Sequence, residues 1–281
     1  MKKNLLILVS GGRASAMMAR HIQTSEKYND FEKLYVFCNT GQERPETIQF
    51  LKDMVKYWNI PLNIIEGVYS NERGVGVKHK VVDFDTLDMK SRVFSEMIAH
   101  LNKIKWTGVP NTAIPYCSDY LKTRPSHSFA KEIFDTTDYI KALGFRKEDM
   151  PKRISWAEIK EETKRIFPLL TDYENPVSQF DLNIFFHDQL FRLMLHSKFG
   201  NCKYCYKKSL LNLIEAIKYD LDNNDTYTID WYRSEQNKYG NMFFRDNLSI
   251  DDLVKMASSP ITQLSFEFKD HQDDFKCVCN F

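Results

Sequence analysis

The chain has 281 residues, 43% of them hydrophobic and 27% charged, which is enough for one large α/β domain or one domain with a smaller appendage. Lys and Arg total 39 against 38 Asp and Glu, a formal net charge of +1 that excludes a global basic field for nucleic acid and leaves room for a local patch. No apolar run reaches about 18 residues, and the start Met1-Lys2-Lys3-Asn4 leads into a stretch too short for a leader, so a cytoplasmic protein without a membrane partner is expected.

Leu5-Leu6-Ile7-Leu8-Val9 reads as a strand buried on both faces. Ser10-Gly11-Gly12-Arg13-Ala14-Ser15 follows, and a helix begins at once. Two glycines let backbone N–H groups approach a ligand, and the helix start adds partial positive charge. Strand, Gly-Gly-Ser loop and helix together predict a phosphate cradle. An ordinary tight turn into a helix accounts for the same six residues taken alone. The Walker pattern and G-x-G-x-x-G are both absent.

Residues 33–38 read as a second strand, 45–58 as a helix opened by Pro45 and Glu46, and 60–66 as a third strand. Residues 71–77, with Gly74 and Gly76, read as a flexible loop, and 89–105 as an amphipathic helix. Gly108, Pro110, Pro115 and Pro125 mark an irregular, site-forming stretch, and 138–143 a fourth strand. This alternation predicts an α/β fold, a doubly wound parallel sheet of about five strands with its ligand beyond the carboxyl ends. Further on, helices are expected at 177–195 and 209–221, with another starting at Ser249. The organisation expected is a nucleotide-binding domain over 1–170 and a mainly helical region over 171–281.

Four stretches resemble, in order, the phosphoadenosine phosphosulfate (PAPS) reductase family, which shares the PP-loop fold of the N-type ATP pyrophosphatases. Ahead of these four, the loop 10–15 resembles the S-G-G-x-D-S pyrophosphate loop of the N-type ATP pyrophosphatases, with Ala14 in place of Asp. Asn39-Thr40-Gly41-Gln42-Glu43-Arg44-Pro45-Glu46-Thr47 resembles D-T-G-x-x-x-P-E-T, with Asn39 for the leading Asp. Residues 115–125 resemble the family's Cys-then-Lys-then-Pro segment, and Gly144-Phe145-Arg146-Lys147-Glu148-Asp149 its G-x-R-x-x-E segment. Phe167-Pro168-Leu169 and the helix after Val177 resemble its (Y/F)-P-L stretch and aromatic helix. The resemblance spans roughly residues 4–210.

The resemblance implies an adenine nucleotide, ATP or PAPS or its 5′-phosphosulfate relative APS, held at its phosphates by Ser10, Gly11, Gly12, Arg13 and Ser15, with Mg2+ expected beside them. It implies Asn39, Thr40 and Gly41 beside the adenine and ribose, Glu43 as either a further nucleotide-site residue or only a helix-dipole partner, and Lys122 and Arg146 as catalytic residues. Arg124 and Arg153 are either further anion clamps or solvated surface charges. One reading is cleavage of ATP to AMP and pyrophosphate to adenylate an acceptor, a small molecule or a nucleic acid, for sulfur or amine transfer. A second is thiol-dependent reduction of PAPS or APS to sulfite. A third is a non-catalytic nucleotide-binding or metal-stabilised partner protein, which Ala14 makes worth keeping. Self-association is left open.

Six cysteines read as thiols, metal ligands or catalytic groups. Cys117, Cys202 and Cys205 resemble the cysteine pattern of the iron–sulfur members, so a 4Fe-4S cluster is expected, its fourth ligand from Cys277 or Cys279. Zinc on Cys202, Cys205, Cys277 and Cys279 is the alternative. Cys38, inside a strand, reads as a buried thiol.

Overall fold

The computed structural model describes residues 2–72, 75–105, 107–151, 153–160, 164–200 and 202–259. One sheet holds β1 (Lys3–Leu8), β2 (Phe31–Cys38), β3 (Leu62–Tyr69), β4 (Val77–Val82), β5 (Ile140–Ala142) and β6 (Arg165–Ile166). Their spatial order is β4-β3-β2-β1-β5-β6, and every neighbouring pair is parallel except β3 with β4. The helices are α1 (Arg13–Thr24), α2 (Pro45–Trp58), α3 (Arg92–Ile104), α4 (Arg124–Phe134), α5 (Trp156–Lys160), α6 (Pro168–Thr171), α7 (Gln179–His187), α8 (Leu210–Asp222), α9 (Tyr227–Tyr239) and α10 (Ile250–Ser258).

Strand alternation sorts the central strand between two cores. Leu5 and Ile7 pack with α1, α2 and α7, while Leu6 and Leu8 pack on the opposite face with Phe129 and Ala130 of α4. A mostly parallel sheet covered on both faces is compatible with the expected doubly wound fold. A third core joins Val93, Phe94 and Met97 of α3 to Leu213 and Ile217 of α8, Trp231 and Tyr232 of α9 and Leu253 of α10. The cores therefore draw from both sides of residue 170. Leu182, Phe186 and Phe191 belong with α1 and α2, and α3 belongs with the C-terminal helices.

Several expectations are corrected. The sheet has six strands rather than about five. Val77 opens β4 instead of closing a loop, and Lys78 and Lys80 give that edge strand the charge that blunts edges. The helix expected to reach 195 stops at His187, with Asp188 at its C-cap position. The irregular stretch ending near Pro125 contains a π-helical turn, Asp119–Thr123, that runs straight into α4, with Pro125 in its first turn. Helix α9 went unexpected because its buried side includes Thr228, Glu235 and Gln236, which hide the apolar period.

Along the parallel strands, the chain moves from β1 out to β3 on one side and reappears at β5 on the other. The order reverses between β1 and β5, and in open α/β sheets that reversal opens the crevice where ligands bind.

Candidate functional site

Two loops flank that crevice, one after β1 and one after β5. Gly11 has φ +76°, and a Cβ there would collide with Thr47 of α2, so only glycine fits the turn. A Cβ on Gly144 would lie 2.9 Å from the backbone of Ser15, so the second loop lies directly against the first turn of α1. Ser15 Oγ accepts from the Ser10 N–H at 3.0 Å and donates to Gly12 O at 2.9 Å, while the Ser10 hydroxyl lies 3.0 Å away. The two serines thus shape the loop by bonding each other. Gly12 caps α1 without a side-chain hydrogen bond, and the first turn holds no acidic residue. The helix start keeps its uncompensated positive end.

Arg13 and Arg146 converge there. Arg13 Nη1 donates to Asn183 Oδ1 at 2.8 Å, and Arg146 Nη1 donates to Gln179 Oε1. Burial, and then the neighbouring Arg146, lower the proton affinity of Arg13. Asp149 accepts from the Arg146 N–H at 2.9 Å and from Arg153 Nη1 at 2.9 Å. The Arg153 guanidinium also lies 4.4 Å from the centre of the Phe145 ring. Arg124 sits elsewhere, half-exposed, bonded to Asp119 at 2.7 Å and stacked over Tyr120.

The carboxyl end of β2 is closed. Asn39, Thr40 and Gly41 are buried. The Asn39 amide donates to Glu66 Oε1 at 2.7 Å and to Asp88 O at 2.8 Å. Gly41 has φ +78° and abuts Ser91 and Asp88. The Glu43 carboxylate accepts from the Thr40 N–H at 3.0 Å, the Thr40 hydroxyl at 2.8 Å and the Gln42 N–H at 3.1 Å. Burial holds the Glu43 carboxyl above its ordinary range, against the opposing pull of Lys122. These side chains make internal hydrogen bonds, and Thr40 also lines the neighbouring pocket.

Beside them lies a small pocket lined by Thr40, Cys117, Lys122, Cys202, Cys205 and Lys207, among others. Sequence reasoning grouped the three cysteines, and the fold brings them to one place. Cys202 Sγ is 3.5 Å from the Thr40 hydroxyl, and Cys117 Sγ is 3.2 Å from the Tyr206 hydroxyl. The Lys203 N–H donates to Gln42 O at 2.9 Å and pins the C-x-x-C turn to the β2 loop. The Tyr232 hydroxyl is kept protonated by burial and then by the nearness of Cys202, Cys205 and Cys117. Lys203 bonds Asp225, and Lys208 bonds the carbonyls of Lys198 and Gly200. Lys122 thus belongs to this pocket, while Arg146 stands at the β1/β5 crevice.

Among the described residues, no group of three or more His, Cys, Asp and Glu side chains is gathered as ligands of one ion. Cys277 and Cys279 lie outside the described residues. Cys38 is buried, donates to Lys122 O at 3.6 Å, and has its thiol pushed up to about 12 by burial. Sequence reasoning missed Gln179, Asn183, Tyr206 and Tyr232. The i, i+4 spacing of Gln179 and Asn183 just after a Ser178 cap was the available signal for the first two.

No family model and no solved structure matches the chain. It is similar to the "Uncharacterized nin region protein ORF290" of Escherichia phage lambda, at 26% identity over 261 residues, covering 90% of this chain and 84% of that protein. No helix among the described residues is long and apolar enough to cross a membrane.

Proposed function

We propose that the chain binds an adenine nucleotide by its phosphates in the β1/β5 crevice and cleaves ATP there to AMP and pyrophosphate, adenylating an acceptor. The observation that carries this reading is the convergence of Arg13 and Arg146 on the uncapped start of α1. Backbone N–H groups and two guanidinium forks suit an anion whose charge grows during the reaction. In the step envisaged, an acceptor oxygen bonds to the α-phosphorus and the Pα–O bond to the β-phosphate breaks. Pyrophosphate leaves with the electron pair, and Arg13 and Arg146 balance its charge. The acceptor is a small molecule or a nucleic acid.

The residues present do not fit an Mg2+ held by the protein. Ala14 offers no oxygen ligand, and Asp149 is committed to Arg146 and Arg153. An iron–sulfur cluster or zinc is supported only by three thiols and two lysines lining one pocket, since among the described residues those thiols are not gathered as ligands of one ion. A fourth thiolate would come from Cys277 or Cys279.

The cysteine pocket favours a second reading, reduction of a phosphosulfate. A cysteine thiolate would bond to the sulfate sulfur as the nucleotide phosphate leaves. A second thiolate would then displace sulfite and close a disulfide, so two thiols supply the two electrons.

Calorimetry with ATP, PAPS and APS, combined with assays for pyrophosphate and sulfite, separates the readings. Pyrophosphate from ATP supports the first and sulfite from a phosphosulfate the second. Tight binding with neither product leaves a nucleotide-binding protein. Absence of binding to all three nucleotides overturns the site.

A further inference from the structure

Arg13 and Arg146 do not reach the crevice unaided. Both are held by amide side chains on one face of α7. Asn183 Oδ1 accepts from Arg13 Nη1 at 2.8 Å and from Gln179 Nε2 at 3.1 Å, while Gln179 Oε1 accepts from Arg146 Nη1. The four side chains form one relay, Arg13–Asn183–Gln179–Arg146. Its base is rigid. Ser178 and Asp181 form a capping box, and the Gln179 N–H donates to Glu148 Oε1 at 2.7 Å. The Lys147 N–H donates to Val177 O at 2.9 Å, and Leu182 and Phe186 anchor the other side of α7 in the core.

The choice of amides has an electrostatic consequence. A carboxylate at either position would accept the same hydrogen bond and cancel the guanidinium charge. A neutral amide orients the fork and leaves the charge in place. Asp149 divides its charge between Arg146 and Arg153, and among the described residues Arg13 pairs with no carboxylate. Two like charges are therefore held side by side, an arrangement that a bridging anion relieves.

We infer that Gln179 and Asn183 are positioning residues that keep Arg13 and Arg146 charged and jointly aimed at one anion, and that the pair selects a diphosphate over a single phosphate. This rests on the anion-site reading above and adds to it the residues that set the preference. A diphosphate can place one phosphoryl group on each fork, whereas a single phosphate fills one.

The test is calorimetric titration of the full chain with inorganic pyrophosphate and with inorganic phosphate in metal-free buffer, with thermal midpoints measured alongside. The unsubstituted chain should bind pyrophosphate about tenfold or more tightly than phosphate. Asn183→Asp keeps an acceptor for Arg13 and neutralises it, so pyrophosphate affinity should fall about tenfold or more while the midpoint holds. Gln179→Glu should act alike through Arg146. Asn183→Ala removes the acceptor that aims Arg13 and should weaken pyrophosphate binding about threefold or more, whereas in an Arg13→Ala background the same change should move affinity by less than about twofold, because the guanidinium it aims is gone. A merely structural role would not produce that dependence on Arg13. If the unsubstituted chain binds pyrophosphate but Asn183→Asp and Gln179→Glu bind it equally well, the inference is overturned alone. Should the unsubstituted chain bind no pyrophosphate, the anion site itself is overturned.

Discussion

Arg44 and Asp220, 176 positions apart in the chain, meet in a two-pronged ion pair, Nη1 to Oδ1 at 2.5 Å and Nη2 to Oδ2 at 3.1 Å. Both are buried, and the Tyr204 hydroxyl donates to the same carboxylate at 2.6 Å. The Arg44 guanidinium also lies over the rings of Phe199 and Tyr219. One salt bridge thus ties the β2 loop, the C-x-x-C turn and α8 together. Asp220→Ala strands a buried guanidinium and should lower unfolding free energy by about 3–5 kcal/mol in urea titrations. A loss below about 1 kcal/mol would mean that the pair is not held as described.

Gly144→Ala tests the contact between the two crevice loops. The added methyl must displace the Ser15 backbone, and overpacking of this kind costs about 1–3 kcal/mol. Pyrophosphate affinity should fall as well, since α1 shifts away from Arg146. Stability and affinity both equal to those of the unsubstituted chain would refute the close approach.

Asp172 sets part of the acid sensitivity of the fold. Burial alone would raise its pKa, yet hydrogen bonds from His21 at 3.0 Å, Lys27 at 2.6 Å and Tyr28 at 2.6 Å hold it below the ordinary carboxylate range. A carboxyl depressed in the folded state contributes stability above its unfolded pKa and loses that contribution as pH falls towards the folded value. Asp172→Asn should therefore be less stable than the unsubstituted chain at pH 7, and the gap should narrow from about pH 5 downward. Chemical denaturation across that range checks it; a gap that stays constant contradicts the linkage.

Cys38 should be chemically silent in the folded protein. Its thiol is pushed up to about 12, so almost no thiolate exists at pH 8. Alkylation followed by peptide mass spectrometry should leave Cys38 unlabelled until denaturant is added. Rapid labelling of the folded chain would show that β2 opens.

The cysteine pocket makes a metal prediction. Protein prepared anaerobically with iron should carry a cluster chromophore that Cys202→Ser and Cys205→Ser abolish, with zinc at about one per chain as the alternative content. A Cys277→Ala and Cys279→Ala double variant should lose the metal too. Neither metal near one site per chain would leave these residues as thiols and strengthen the reductive reading.

Much of the first half was legible because its signals are local. The unbroken apolar run at β1 and the Pro45 and Glu46 start of α2 each follow from a few adjacent residues. Ser249 as the cap of α10 is similar, with Asp252 completing a capping box. Edge strand β4 and helix α9 were not legible. Both carry polar residues whose partners lie far along the chain, as the Glu235 bond to Ser95 shows.

By itself, the sequence determined the alternation of strands and helices, the glycine turn at residues 11–12, and which cysteines and arginines could carry chemistry. Each of these is set by backbone sterics, hydrophobic period or side-chain type within a short window. The tertiary structure alone decided how those groups are shared out. It set Arg146 beside Arg13 and placed Lys122 with the cysteines. It also turned Asn39 inward to Glu66 and supplied Gln179 and Asn183 from α7 as the amides that hold the arginines. The reason is physical. The position of the crevice follows from where the strand order reverses, and a guanidinium keeps or loses its charge according to the neighbour that packing delivers.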